Sequence, residues 1–122
     1  MSLRRRLLVV DDSAPVRALV GQLAAELGFT VVGGAADGPA GVAAAAELKP
    51  DVVVMDWQMP GFEGVEATRQ ILAGQPHIDV VAFSSADEDA IGIAFRRAGA
   101  SAYVVKGDVE GLIDALRGRS GA

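Results

Sequence analysis

Five short apolar runs alternate with five stretches of helical periodicity, and this alternation constrains the fold more than any single motif. The runs cover residues 7–10, 29–36, 51–56, 80–83 and 103–105. After the first, Val16, Leu19, Val20, Leu23 and Leu27 recur at the spacing of one helix face. Ser13 is placed to cap that helix, Pro15 fits its first turn and Gly28 its stop. Asp37-Gly38-Pro39 reads as a turn, followed by a small-residue helix over 40–48 that ends at Lys49-Pro50, because the residue before proline avoids the helical region. Val65, Thr68, Ile71 and Leu72 mark a third helix after the loop Met59-Pro60-Gly61. Ile91, Ala94, Phe95 and Ala98 mark a fourth within 87–98, and Val109, Leu112, Ile113 and Leu116 a fifth. Such an order predicts an α/β fold, a parallel sheet with helices on both faces and right-handed crossovers. Val52-Val53-Val54-Met55 is apolar at every position, as a strand buried on both faces would be.

No repeat or second domain interrupts the pattern. Residues 1–122 read as one domain with its core at about 5–118 and a tail or linker stub at 119–122. With 51% apolar residues the chain can build a core. The absence of cysteine excludes disulfides, Cys-ligated zinc, iron–sulfur clusters and thiol chemistry. A net charge of −5 argues against the whole domain binding nucleic acid or an acidic membrane. No apolar run approaches the roughly 18 residues of a membrane span. Arg4-Arg5-Arg6 is followed by too short an apolar run for a signal peptide, so a cytoplasmic location is expected and the arginines read as a solvated strand entry. His77 reads as a surface loop residue.

In open α/β sheets, ligands bind outside the carboxyl ends of the strands. Those ends deliver Asp11 and Asp12, then Asp56, then Ser84 and Ser85, then Lys106. Two like charges about 4 Å apart cost roughly 4 kcal/mol at an effective dielectric near 20, so clustered carboxylates either take a proton or admit a cation. Mg2+ suits such a set, since it binds one or two carboxylates, retained waters and a phosphoryl oxygen. With a lysine and a serine to meet the remaining oxygens, the set reads as a phosphoryl-transfer site whose nucleophile is a carboxylate. Each residue also has a plainer reading. Asp11 and Asp12 suit a helix cap or turn, Ser84 and Ser85 a cap of the fourth helix, Lys106 a solvated charge and Tyr103 core packing. Trp57 reads as a partly exposed aromatic beside Asp56.

Four segments together resemble the receiver domain of two-component response regulators: Val9-Val10-Asp11-Asp12-Ser13, Met55-Asp56-Trp57-Gln58-Met59-Pro60-Gly61, Phe83-Ser84-Ser85-Ala86 and the stretch from Gly99 to Lys106. The resemblance covers about residues 5–118. It implies a three-layer flavodoxin-like (βα)5 fold with strand order 2-1-3-4-5. It implies that Asp56 is the phosphoacceptor, that Asp12 and Asp56 hold Mg2+ directly, Asp11 through water, and that Gln58 adds its backbone carbonyl. Lys106 would pair with the phosphoryl oxygens, Ser84 would donate its hydroxyl and Ser85 its backbone N–H, and Tyr103 would be the switch that turns inward as Ser84 moves. The implied partners are a sensor histidine kinase or phosphotransfer protein, an output domain or downstream protein, and a second copy of the chain on activation. Nucleic acid would be met only through an output domain outside this chain.

Two positions depart from the family pattern. Gly107 stands where proline usually follows the lysine, and Glu63, a weaker cap for the third helix, where aspartate is common. A non-proline residue at 107, with Ala36-Asp37-Gly38 after the second strand, looks more like receivers attached to helix-turn-helix output domains. Three competing functions remain. An aspartate-nucleophile phosphatase would carry its nucleophile in a D-x-D pattern after the first strand, whereas Asp11 and Asp12 are adjacent. A flavodoxin-type cofactor binder would need a phosphate-cradling loop where Asp11-Asp12 repels phosphate. An unphosphorylated docking module would not require the complete acidic and lysine set. A phosphoacceptor rather than an enzyme is therefore expected.

Overall fold

Four of the five strands end where an apolar run meets a polar residue; the second ends between two alanines, Ala35 and Ala36. The computed structural model describes residues 5–121. Met1-Ser2-Leu3, Arg4 of the basic run and Ala122 of the expected tail lie outside the described residues. Five strands, β1 (Arg6–Val10), β2 (Thr30–Ala35), β3 (Val52–Met55), β4 (Asp79–Ser84) and β5 (Ala102–Val105), alternate with five helices. The helices are α1 (Ala14–Glu26), α2 (Gly38–Leu48), α3 (Gly64–Gly74), α4 (Asp89–Arg97) and α5 (Val109–Gly121). All strand pairs are parallel and the sheet runs β2-β1-β3-β4-β5.

Side chains alternate across this sheet and fill two cores. Leu8, Val10, Val53, Met55, Val80 and Ala82 pack with α2, α3 and α4 through Ala45, Val65, Ala67, Ile71 and Phe95. Leu7, Val9, Val52, Val54, Val81 and Phe83 pack with α1 and α5 through Val20, Ala24, Leu112 and Leu116. All four residues of β3 are buried, as its unbroken apolar run predicts.

The ends of the elements show where local chemistry overrides the sequence pattern. Ser13 caps α1, accepting from the Val16 N–H, and Gly28 follows that helix with φ of 97°. Lys49 closes α2 in the left-handed region with φ of 50°. Asp37-Gly38-Pro39 is not a free turn. Asp37 is the N-cap of α2 and accepts from the Ala40 N–H at 2.7 Å, so the helix starts two residues before the expected 40. Conversely, α4 starts two residues after the expected 87. Its N-cap is Glu88, which makes no side-chain cap bond, so neither Ser84 nor Ser85 caps it. Leu19 is 51% exposed because it lies about 100° around α1 from the buried Val20. Val109, the first residue of α5, starts past the end of β5 and is also exposed.

Helix α5 continues to Gly121, where a tail had been expected from 119. A glycine in a helix costs only about 1 kcal/mol, too little to stop one anchored by the fully buried Leu112 and Leu116. At the opposite edge of the sheet, Arg5 pairs with Asp79 at 3.2 Å and the Arg6 guanidinium donates to the Leu48 carbonyl at 2.5 Å. These two arginines fasten the strand entry to its neighbours instead of being merely solvated. No helix among the described residues is long and apolar enough to cross a membrane.

Candidate functional site

The parallel register brings the sequence-predicted residues to one edge. Asp11 N–H donates to the Ala35 carbonyl, Asp56 N–H to that of Val10, and Lys106 N–H to that of Ser84, each one residue past its strand. A cavity of about 560 Å3 opens there, lined by Asp12, Asp56, Gln58, Ser84, Ser85 and Lys106. Trp57, Ala86 and Glu88 complete its wall. Asp11 sits behind that wall, 2% exposed, while Asp12 projects to solvent. Tyr103 is not part of this cavity. It lies in the neighbouring groove and reaches the site from there through Ser84 and through the loop between β4 and α4.

Carboxylate oxygens of Asp11, Asp12 and Asp56 come within 4.8 Å of one another. Lys106 Nζ is 2.9 Å from Asp11 Oδ2 and 3.5 Å from Asp56 Oδ1. Asp11 Oδ1 accepts from the Ser13 N–H at 2.9 Å, so both oxygens of Asp11 have protein partners. Burial, then the Asp11 charge, pushes the Asp56 carboxyl up to about 6, against the opposing pull of the Trp57 N–H and Lys106. Burial alone would lower the Lys106 ammonium, but its bond to Asp11 and the charges of Asp56 and Asp11 hold it above its ordinary value. Three hard oxygen donors with excess negative charge at Asp56 fit a divalent cation such as Mg2+.

Several contacts go beyond the sequence pattern. Arg17 reaches back from α1 to donate to the Asp11 carbonyl at 2.6 Å. Glu63, the departure noted above, caps α3 by accepting from Glu66 N–H at 3.0 Å and also accepts from the Trp57 indole at 2.6 Å. Ala86 joins the two remaining elements. Its N–H donates to Ser84 Oγ at 3.1 Å, and its carbonyl accepts from the Tyr103 hydroxyl at 2.5 Å. Burial raises the Tyr103 phenol; a hydrogen bond with Ser84 opposes this, while the charges of Asp87, Glu88 and Asp56 act in the same direction as burial, so at neutral pH it remains a donor. Gly107 adopts φ of 101°, a conformation closed to proline, and gives the turn before α5 a shape that the family's usual residue cannot adopt.

A doubly wound parallel sheet in this order, with an acid triad and a lysine at its carboxyl edge, defines a flavodoxin-like α/β protein with an acidic pocket. The response regulator receiver domain model matches residues 7–117, and the chain belongs to that family. Response regulator GacA of Pseudomonas viridiflava is 43% identical over 114 residues, covering 92% of this chain and 53% of that protein. The chain thus spans about half the length of such curated relatives. Among solved structures, the response regulator domain of Thermotoga maritima CheB superposes with a TM-score of 0.89 at 33% identity, covering 98% of both chains. A LuxR-family two-component response regulator from Aurantimonas sp. gives 0.90 at 34% identity, covering 98% of this chain and 87% of that one.

Proposed function

We propose that the chain is a phosphorylation-controlled switch in which Asp56 accepts a phosphoryl group from a phosphohistidine of a sensor kinase or phosphotransfer protein. The observation that carries this reading is the approach of three carboxylates within 4.8 Å, with the Lys106 ammonium against two of them. One Asp56 oxygen attacks phosphorus, the N–P bond of the donor breaks, and the electron pair leaves on the imidazole nitrogen. Asp12, Asp56 and the Gln58 backbone carbonyl would hold Mg2+. Asp11, whose oxygens already serve Ser13 and Lys106, would act at one remove through water. The cation would supply charge neutralisation for the transferring phosphoryl oxygens.

The chain's own groups do the remaining work. Lys106 neutralises a second phosphoryl oxygen. Ser84 Oγ accepts from Ala86 N–H and keeps its own proton, which it can donate to the phosphoryl group, while the Ser85 N–H offers another donor. Turning Ser84 toward the pocket draws on the same Ala86 that Tyr103 holds, so the loop before α4 and the ring on β5 shift population together.

In this reading residues 1–122 form one receiver unit, cytoplasmic, a phosphoacceptor that assists its own phosphorylation and dephosphorylation rather than an enzyme. The resemblance to GacA and to a LuxR-family regulator favours an output domain elsewhere in the protein as the route to nucleic acid, with a second copy of the chain as the other expected partner on activation. The test is Trp57 fluorescence during titration with Mg2+ and then beryllofluoride, which mimics the aspartyl phosphoryl group. A saturable Mg2+ response followed by a beryllofluoride change that is absent in Asp56→Asn supports the switch. A flat response, with no Mg2+ uptake by calorimetry, overturns it.

A further inference from the structure

Trp57 is held at three atoms. Its N–H donates to Asp56 Oδ1 at 2.8 Å, its carbonyl accepts from the Gly64 N–H at 2.6 Å, and its indole N–H donates to Glu63 Oε2 at 2.6 Å. The first bond orients the Asp56 carboxylate. The second closes the loop from β3 to α3 without slack, because a Cβ on Gly64 would lie 1.8 Å from the Asp56 carbonyl oxygen. The third leads to Glu63, whose other oxygen accepts from the Glu66 N–H and is thereby fixed to the first turn of α3. Gln58, the next residue, lines the cavity.

We propose that Glu63 is a positioning residue: through the Trp57 indole it fixes the 56–58 main chain, and so sets the affinity of the acidic pocket for a divalent cation. The inference rests on the reading of that pocket given above. The chemistry requires a glutamate. Its two oxygens satisfy two donors at once, one on the helix and one on the indole. Aspartate would cap α3 at least as well but is one methylene shorter, and cannot reach both. Glutamine offers one acceptor oxygen and would turn an NH2 donor toward the indole donor. The departure from the family's common aspartate thus adds a tether to an ordinary cap.

Because Glu63→Asp keeps the cap, it separates helix stability from the tether. The experiment measures Mg2+ affinity by calorimetric titration of the whole chain, indole N–H exchange by NMR, and Tm, for the wild type, Glu63→Asp, Trp57→Phe and the double variant. Glu63→Asp is expected to keep a Tm no lower than that of the wild type, to exchange its indole proton faster and to bind Mg2+ about tenfold more weakly. Trp57→Phe, which keeps an aromatic ring but lacks the donor, is expected to show the same loss, and the double variant no further loss. Wild-type Mg2+ affinity in Glu63→Asp, despite faster indole exchange, overturns the positioning role. So do additive losses in the double variant. Failure of the wild-type chain to take up Mg2+ overturns the pocket reading and this inference with it, an outcome distinct from the other two.

Discussion

The Lys106 ammonium is committed first to Asp11, at 2.9 Å, and only more distantly to Asp56. Asp11 therefore keeps its charge compensated, and Asp56 carries the electrostatic cost of the cluster, its carboxyl raised to about 6 by burial and by Asp11. Because this folded-state value lies above the ordinary 3.8, the folded chain binds the proton more tightly than the unfolded chain. The resulting stabilisation is complete below about pH 3.8 and is lost as pH rises through about 6. With metal chelated, Asp56→Asn should be more stable than wild type at pH 7.5 by up to about 3 kcal/mol, and the difference should shrink toward pH 4. Urea unfolding across that range checks it. Equal stability of the two proteins at pH 7.5 would contradict the cost assigned to Asp56.

The two glycines that bound α3 should respond oppositely to alanine. At Gly64 the added Cβ would meet the Asp56 carbonyl oxygen at 1.8 Å, whereas at Gly74 nothing lies within 4 Å. Gly64→Ala is expected to cost about 3 kcal/mol, as overpacking against backbone does. Gly74→Ala is expected to gain up to about 1 kcal/mol from helix propensity. Chemical denaturation of both variants decides the contrast.

Tyr103→Phe removes the donor to the Ala86 carbonyl but keeps the ring beside Phe95, whose centroid lies 5.7 Å away. The fold should be retained at a cost of about 1 kcal/mol. Amide exchange should rise locally over 85–88 and stay unchanged in β3. Uniform acceleration throughout the sheet would point instead to a packing role for the hydroxyl.

Gly107→Pro would restore the family's usual residue and is nevertheless expected to destabilise this chain. Proline is confined near φ of −65°, and Gly107 adopts 101°. Gly107→Ala meets no atom within 4 Å, so its cost should be only that of the left-handed backbone, about 1 kcal/mol. A larger loss in the proline variant, with the alanine variant between it and wild type, is the expected order of Tm values.

The strands and their acidic ends were legible because a polar residue terminating an apolar run is a local signal. Asp11, Asp56 and Lys106 each stand one residue past a strand, and parallel topology brings them together. The missed features depend on length and geometry. Glu63 reads as a weak cap until the position of the Trp57 indole shows why the extra methylene matters. Arg17 to the Asp11 carbonyl and Tyr103 to the Ala86 carbonyl both end on main-chain atoms, which every residue type offers alike. Leu19 fits the apolar spacing yet faces outward, since a spacing rule does not say how wide the covered stripe is.

Asp11 follows the first strand, Asp56 the third and Lys106 the last, so the pocket joins segments far apart along the chain. Closing such long loops is slow compared with forming any one helix. The pocket cannot exist in a nascent chain that has not yet added β5, nor in a partly folded one with that strand detached. Phosphoryl acceptance of the kind proposed would therefore be withheld from unfinished molecules, and only chains that have completed the sheet would enter the signal.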